Sequence, residues 1–343
     1  MNHSAPRELL SGTLYALAAG LMWGVVFVAP LLLPEYPAAL LTCARYLAFG
    51  LIALPLALLD RARLAQLDRT DWWVALQLAA VGNLLYYLCL AAAIQRAGAP
   101  LPTMIIGTLP VVIAIAANLR SSPSVRQRDG RLPWARLWPS LVLIGGGILL
   151  VNHAELGAGA GAGHPADGSR LTGVLLALAA VVCWTWYPLR NADWLRAHPG
   201  RSATTWATAQ GLATLPLALA GSALFWAWSA LSGDPAGMLR PLGNVVLPIG
   251  PRPAQFLALM FAIALLASWL GTLCWNKASQ RLPPALAGQM IVFETLAALG
   301  YAFVLRGRAP AALALVGVAL LVAGVLWAVR VKPQPEMLDA HPN

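Results

Sequence analysis

"GTLYALAAGLMW", residues 12–23, returns 161 positions later as "GVLLALAAVVCW", residues 173–184, with the glycine, the "ALAA" and the closing tryptophan in register. The same offset carries Gly50 onto Gly211 and "LPLAL" at 54–58 onto "LPLAL" at 215–219. Further on the offset becomes 185 and aligns Leu88, Cys89, Ala93, Gln95 and Arg96 with Leu273, Cys274, Ala278, Gln280 and Arg281. Alanine-rich sequence matches by chance, but an offset held constant over about 45 residues is hard to obtain that way. The chain reads as two related halves.

Composition places those halves in a membrane. Of 343 residues 59% are hydrophobic and 10% charged, whereas a soluble domain is about a quarter charged. The apolar residues fall into ten runs: 11–33, 38–59, 72–94, 100–118, 134–152, 171–189, 203–231, 255–276, 283–305 and 311–330. Each approaches the ~20 residues a helix needs to cross ~30 Å of hydrocarbon. Helices satisfy every backbone polar group in lipid, and the two-residue alternation of a barrel strand is missing. Five helices per half is an odd number, so the second half enters the bilayer upside down relative to the first. The expected fold is an all-α integral membrane protein of ten transmembrane helices arranged as two inverted five-helix repeats. Residues 10–152 form the first repeat, 153–170 a Gly/Ala-rich linker around "NHAELGAGAGAGHPADGS", 171–331 the second repeat and 332–343 a cytoplasmic tail.

The basic residues alternate by loop. Of 23 Lys and Arg, sixteen fall on the side of the N-terminus, from Arg7 through Arg61, Arg120 and Arg201 to Lys332. Six fall on the other side (Arg96, Arg170, Arg240, Arg252, Arg306 and Arg308), and Arg45 lies inside a helix. Positive-inside asymmetry of this kind puts both termini in the cytoplasm of the inner (plasma) membrane. It leaves no aromatic-interleaved basic patch, so no nucleic-acid partner is expected. The start "MNHSAPRELLSG" has no small-residue cleavage site, and the first helix reads as uncleaved. Cys43, Cys89, Cys183 and Cys274 lie within spans and read as packing residues.

Enzyme chemistry finds no footing. The eight aspartates and five histidines lie in loops, termini or span edges, and Glu294 alone cannot make an intramembrane carboxylate dyad. Motifs of the H-E-x-x-H, G-x-S-x-G and phosphate-loop kinds do not occur, so the expectation is a non-enzyme with no cofactor and no metal. A channel would show a ring of repeated polar residues, and none is visible.

Inverted five-helix repeats are the construction of secondary transporters working by alternating access. The chain also resembles a known family. The features are G-x10-W opening each half (Gly12 to Trp23, Gly173 to Trp184), Arg45 early in the second helix, Pro110 within "GTLPVV", and the closing "GILLV" (147–151) and "GVLWA" (324–328). Together they look like the drug/metabolite transporter superfamily, EamA branch. That resemblance implies a ten-helix permease, commonly an exporter of amino acids or other small metabolites, with a central cavity between the halves. The chain departs from the pattern in its ninth helix, where "VFET" replaces the proline that would match Pro110. The implied partners are a small-molecule substrate, the lipid bilayer and an antiported proton, in a monomer or homodimer. A multidrug or organic-cation exporter is the alternative, because cations sit well on aromatic faces near one carboxylate.

Candidate cavity residues stand at helical spacing. Asn83, Tyr86 and Tyr87 share one face of the third helix, where buried hydroxyls need partners. Trp184 and Tyr187 do the same in the sixth, Ser268, Thr272 and Trp275 or Asn276 stripe the eighth, and Trp23 and Trp269 join the lining. Trp275 and Tyr187 read equally well as interfacial belt. Gln289 and Gln210 read as substrate ligands or interhelical hydrogen bonds, and Gly20 with Gly24 as a close helix contact. Gly107 and Pro110 break the fourth helix, where a freed carbonyl could face substrate.

Two charges complete the set. Arg45 lies about eight residues into its helix, roughly 11 Å deep at helical rise, and reads as a snorkelling anchor, a carboxylate ligand or the partner of Glu294. Glu294 is the twelfth residue of its span, where a charge costs about 2.5–3.5 kcal/mol and is expected to face the bundle interior. It reads as ionised and paired with Arg45, as protonated and hydrogen-bonded, or as the proton-coupling site.

Overall fold

The computed structural model describes residues 4–97, 100–120, 134–159, 167–232, 251–307 and 310–330. Among them no strand occurs. Six continuous stretches are long and apolar enough to cross a membrane: α1 (Arg7–Leu32), α2 (Ala38–Leu59), α3 (Arg69–Ala97), α7 (Asp167–Ala197), α8 (Ala203–Ser232) and α9 (Pro253–Ser279). A seventh, Leu286–Leu305, runs through α10 (Pro284–Met290) and α11 (Val292–Arg306). Shorter apolar stretches lie in α4 (Pro100–Gly107) with α5 (Leu109–Arg120), in α6 (Trp134–Gly159) and in α12 (Ala312–Arg330).

Local chemistry sets the ends. Asp68 and Asp71 form a reciprocal capping box that starts α3, the Asp71 N–H donating to Asp68 Oδ1 at 2.8 Å and the Asp68 N–H to Asp71 Oδ2 at 3.1 Å. Gly307, at φ 58°, closes α11 with the left-handed residue that suits glycine. Helices α6 and α7 run to Gly159 and from Asp167, so both enter the stretch 153–170 expected to be linker. The residues "HAEL" at 153–156 carry no helix breaker and simply prolong the ladder. Residues 160–166, 233–250 and the expected tail 332–343 lie outside the described residues.

Besides the 3-10 turn Val25–Phe27 within α1, four spans depart from the regular ladder. In α3 residues Leu78–Leu85 take the wider π turn, and in α9 residues Ala264–Leu270 do the same, within one residue of the 185 offset. Such turns inside α-helices gather at functional sites. The ladder breaks between α4 and α5 at Thr108, just before Pro110 lacks a donor. It breaks again between α10 and α11 at Ile291, without a proline. There the Glu294 N–H bonds back only three residues, to the Ile291 carbonyl at 2.9 Å. The run 283–305, expected as one helix, is therefore two half-helices.

Packing follows the small residues, as it must where lipid removes the hydrophobic drive between helices. α2 packs on α8, α6 on α12, α3 on α7, α5 on α10, and α1 on both α9 and α11. A Cβ placed on Gly12 would lie 2.9 Å from Leu282, and one on Gly173 would lie 2.5 Å from Ala97. One on Gly50 would meet Leu215 at 2.8 Å, and one on Gly211 would meet Ala53 at 2.7 Å. Leu149, Val182, Leu224 and Val304 point outward, as surfaces facing acyl chains should.

Candidate functional site

Six helices built this way bring one polar cluster together in the bundle interior. Trp23 and Val26 come from α1, Arg45 and Tyr46 from α2, Asn83 and Tyr86 from α3, and Trp184 from α7. Ala267, Ser268 and Thr272 come from α9, and Glu294 from α11. The π turns of α3 and α9 supply Asn83 and Ser268 at positions 185 apart, and the break at Ile291 puts Glu294 in the first turn of α11. A carboxylate there meets the positive end of the helix dipole.

The aromatic walls are closely fitted. The Trp23 indole donates to the Ala267 carbonyl at 2.9 Å. Trp184 stacks on Tyr86 at 4.4 Å and on Tyr187 at 5.0 Å between ring centroids. Trp275 packs on Trp23 at 5.2 Å and is 1% exposed; it and Tyr187 are core residues, not belt. Arg45 donates from Nε to Ser268 Oγ at 3.1 Å, and its guanidinium lies 4.5 Å from the Tyr87 ring and 4.9 Å from the Tyr46 ring. That combination of bond and stacking suits arginine's planar, weakly hydrated cation.

Unmatched polar atoms converge on the same spot. Among the described residues Arg45 Nη1, Asn83 Nδ2, the Tyr86 and Tyr87 hydroxyls, Trp184 Nε1 and Glu294 Oε2 are buried without a hydrogen-bond partner. Glu294, 3% exposed, lines the same pocket as Trp184 and Arg45 but forms no ion pair with Arg45. Buried polar groups are rarely left unpaired, and five such residues lining one pocket mark a place for a polar ligand or water. The space between them, about 10 Å³, is about what one water requires. A larger solute needs the helices to part.

Both ends are shut. At the end carrying Gln95, its Nε2 donates to the Tyr36 carbonyl at 2.7 Å, Tyr36 stacks on Phe256 at 4.5 Å, and Arg252 grips Glu35 through two bonds of 2.6 and 2.7 Å. At the end carrying Gln280, Asn191 links Asn276 (2.9 Å), Trp206 (2.9 Å) and Gln210 (3.2 Å), and the Tyr187 hydroxyl donates to Gln210 at 2.8 Å. There Gln280 reaches the Arg201 carbonyl at 3.2 Å, and Arg201 reaches Gln66.

Of the residues singled out in the sequence, Trp23, Arg45, Asn83, Tyr86, Trp184 and Glu294 line the pocket, and Tyr87 lies under Arg45. Three do not. Gly107 ends α4, and Gln289 accepts a 2.5 Å bond from Ser140 Oγ that ties α10 to α6. Trp269 turns to an apolar groove and reaches only Thr208 Oγ1, at 3.4 Å. Val26, Tyr46 and Ala267 were not foreseen. The repeat offset could have found Ala267, because it falls opposite Gly82 of the corresponding turn. Among the described residues no three His, Cys, Asp or Glu side chains gather as metal ligands.

A profile of the EamA-like transporter family matches residues 10–128. The chain is 54% identical to the inner membrane protein YtfF of Escherichia coli (strain K12) over 333 residues, 97% of this chain and 99% of that one. A crystal structure 18% identical in sequence superposes with a TM-score of 0.66, covering 93% of this chain and 96% of the other. At that identity the likeness is one of fold.

Proposed function

The chain belongs to the EamA-like transporters of the drug/metabolite transporter superfamily, and from that premise we propose that it exports small organic solutes, amino acids or related metabolites, by alternating access. It is a multi-pass inner-membrane transporter and not an enzyme. In this reading ten spans form two inverted repeats, 10–152 and 171–331, with both termini in the cytoplasm and the Gln95 end of the bundle outside. The charge asymmetry of the loops supports the orientation. The paired packings support the inversion, since Gly12 on Leu282 and Gly173 on Ala97 exchange under the two offsets.

The observation that carries the function is the convergence of unpartnered polar atoms from both halves on one occluded point. Arg45, held by Ser268 and two aromatic faces, keeps Nη1 for a substrate carboxylate. Glu294 supplies the opposite pole for an ammonium group, and Asn83 and Tyr87 offer neutral bonds. Gln289 and Gly107 act one step away, holding the broken helices. When a proton sits on Glu294 the pocket loses its negative charge and releases the ammonium, which makes the same carboxylate the antiport site. Rocking one half against the other then opens one end while the other stays tied, since the Glu35–Arg252 and Gln66–Arg201 contacts each join one half to the other.

The test is counterflow of radiolabelled amino acids into proteoliposomes, with and without a proton gradient. Exchange of an amino acid that excess unlabelled compound abolishes is expected, and failure of every amino acid tried removes this substrate class. The aromatic box around one carboxylate favours a second reading, an organic-cation exporter. Competition by tetraphenylphosphonium without competition by amino acids would select it.

A further inference from the structure

The polar pocket has a neighbour of opposite character. Between α2 and α9 lies an apolar groove of about 780 Å³, lined by Ala44, Ala48, Ile52, Met260, Phe261 and Trp269. Sites that hold drug-sized ligands have such volumes. Groove and pocket stand back to back. On α2, Ala44 faces the groove and Arg45 the pocket; on α9, Trp269 faces the groove and Ser268 the pocket.

The seam between them carries the 3.1 Å bond from Arg45 Nε to Ser268 Oγ, on the π stretch Ala264–Leu270, whose ladder is already out of α register. The Trp269 ring packs on the core, and its hydrogen bond to Thr208 Oγ1, at 3.4 Å, is at the long limit. Contacts among the described residues tie both ends of the bundle, whereas the groove lies on its lateral, apolar surface.

We propose that the seam between α2 and α9 is a lateral portal, and that a transported solute is an amphiphilic carboxylate whose head reaches Arg45 while its apolar tail lies in the groove. The proposal rests on the transporter reading above and narrows its substrate. Moving a tail from lipid into the groove gains little, because the bilayer is as apolar as the groove. Selection therefore lies in the head. The guanidinium meets the carboxylate, and the groove decides only where the tail can go.

Labelling tests this without transport. Full-length protein in lipid nanodiscs is irradiated with a diazirine-bearing dodecanoic acid, and adducts are mapped by mass spectrometry. Adducts are expected on residues 44–56 and 257–269, displaced by excess dodecanoate and not by dodecanol. Arg45→Gln should cut them about tenfold or more, the factor that one charge-assisted hydrogen bond carries. Ala48→Trp fills the groove with Arg45 intact and should remove them with an unchanged melting temperature. Adducts spread equally over the lipid faces of α6 and α12, or indifferent to dodecanoate, would be ordinary lipid contact and would overturn the portal. If such a protein still exchanged amino acids, the transporter reading would stand and the portal alone would fall.

Discussion

Trp23 and Trp184 meet edge to face, ring centroids 5.0 Å apart at 73°. The closing tryptophans of the repeated segment are thus neighbours across the pocket. Their polar edges differ. Trp23 donates to the Ala267 carbonyl at 2.9 Å, whereas Trp184 Nε1 has no hydrogen-bond partner among the described residues and sits beside Glu294. One copy of the repeat locks helix to helix and the other is open to a ligand.

Phenylalanine at the two positions should separate these roles. Trp23→Phe leaves the Ala267 carbonyl unpaired and should cost about 1–3 kcal/mol, seen as a lower unfolding temperature in detergent. Trp184→Phe breaks no hydrogen bond to the backbone, so it should lose less stability than Trp23→Phe while losing substrate competition in counterflow. Identical behaviour of the two variants would contradict the division.

Arg45 is next, because it is bound on one edge and free on the other. Arg45→Lys keeps the charge but loses both the planar stacking on Tyr87 and the Nε bond to Ser268. The KM for a carboxylate substrate should rise about tenfold or more in Arg45→Lys and further in Arg45→Gln. Both proteins should still reach the membrane. Parental kinetics in both would reduce Arg45 to an anchor.

Much of this arrangement was legible as periodicity and repeat. The 185 offset anticipated matching stretches in α3 and α9, and Gly107 with Pro110 anticipated the broken fourth helix. The break at Ile291 was not legible, for it has no proline and depends on a neighbour. The bare backbone of Gly20 lies so close that a Cβ there would sit 2.8 Å from the Glu294 nitrogen. Trp269 and Gln289 were misplaced for another reason. In helices apolar nearly all round, spacing shows which residues share a face and not which helix that face meets.

The clamp between Glu35 and Arg252 yields a prediction about access. The pair is partly exposed, its side chains 29% and 43% accessible, so it contributes no more than about 1 kcal/mol. That is enough to shift a balanced two-state equilibrium several-fold. With the four native cysteines replaced, Ser268→Cys should react faster with an impermeant thiol reagent in intact cells when Glu35→Gln is added. High salt should have the same effect on the parent. Equal rates would show that the clamp does not hold the outward side shut.

Glu294 decides whether a proton takes part. It lies in the first turn of a half-helix in the bundle interior, beside Trp184 and Tyr86 and unpaired with Arg45. An ionised carboxylate so placed has no full counter-charge, and its Oε2 has no hydrogen-bond partner among the described residues. The charged state is left under-satisfied, which suits a group that exchanges a proton for a solute and which structural glue would avoid. Glu294→Gln keeps the shape and a hydrogen-bonding head but cannot ionise. The variant should retain counterflow, in which no net proton moves, and should lose uphill accumulation driven by a pH gradient. Its exchange rate should also be flat across the pH range in which the parent's rate changes. Equal pH-driven accumulation by variant and parent would show that the coupling lies elsewhere, with Glu294 serving the substrate alone.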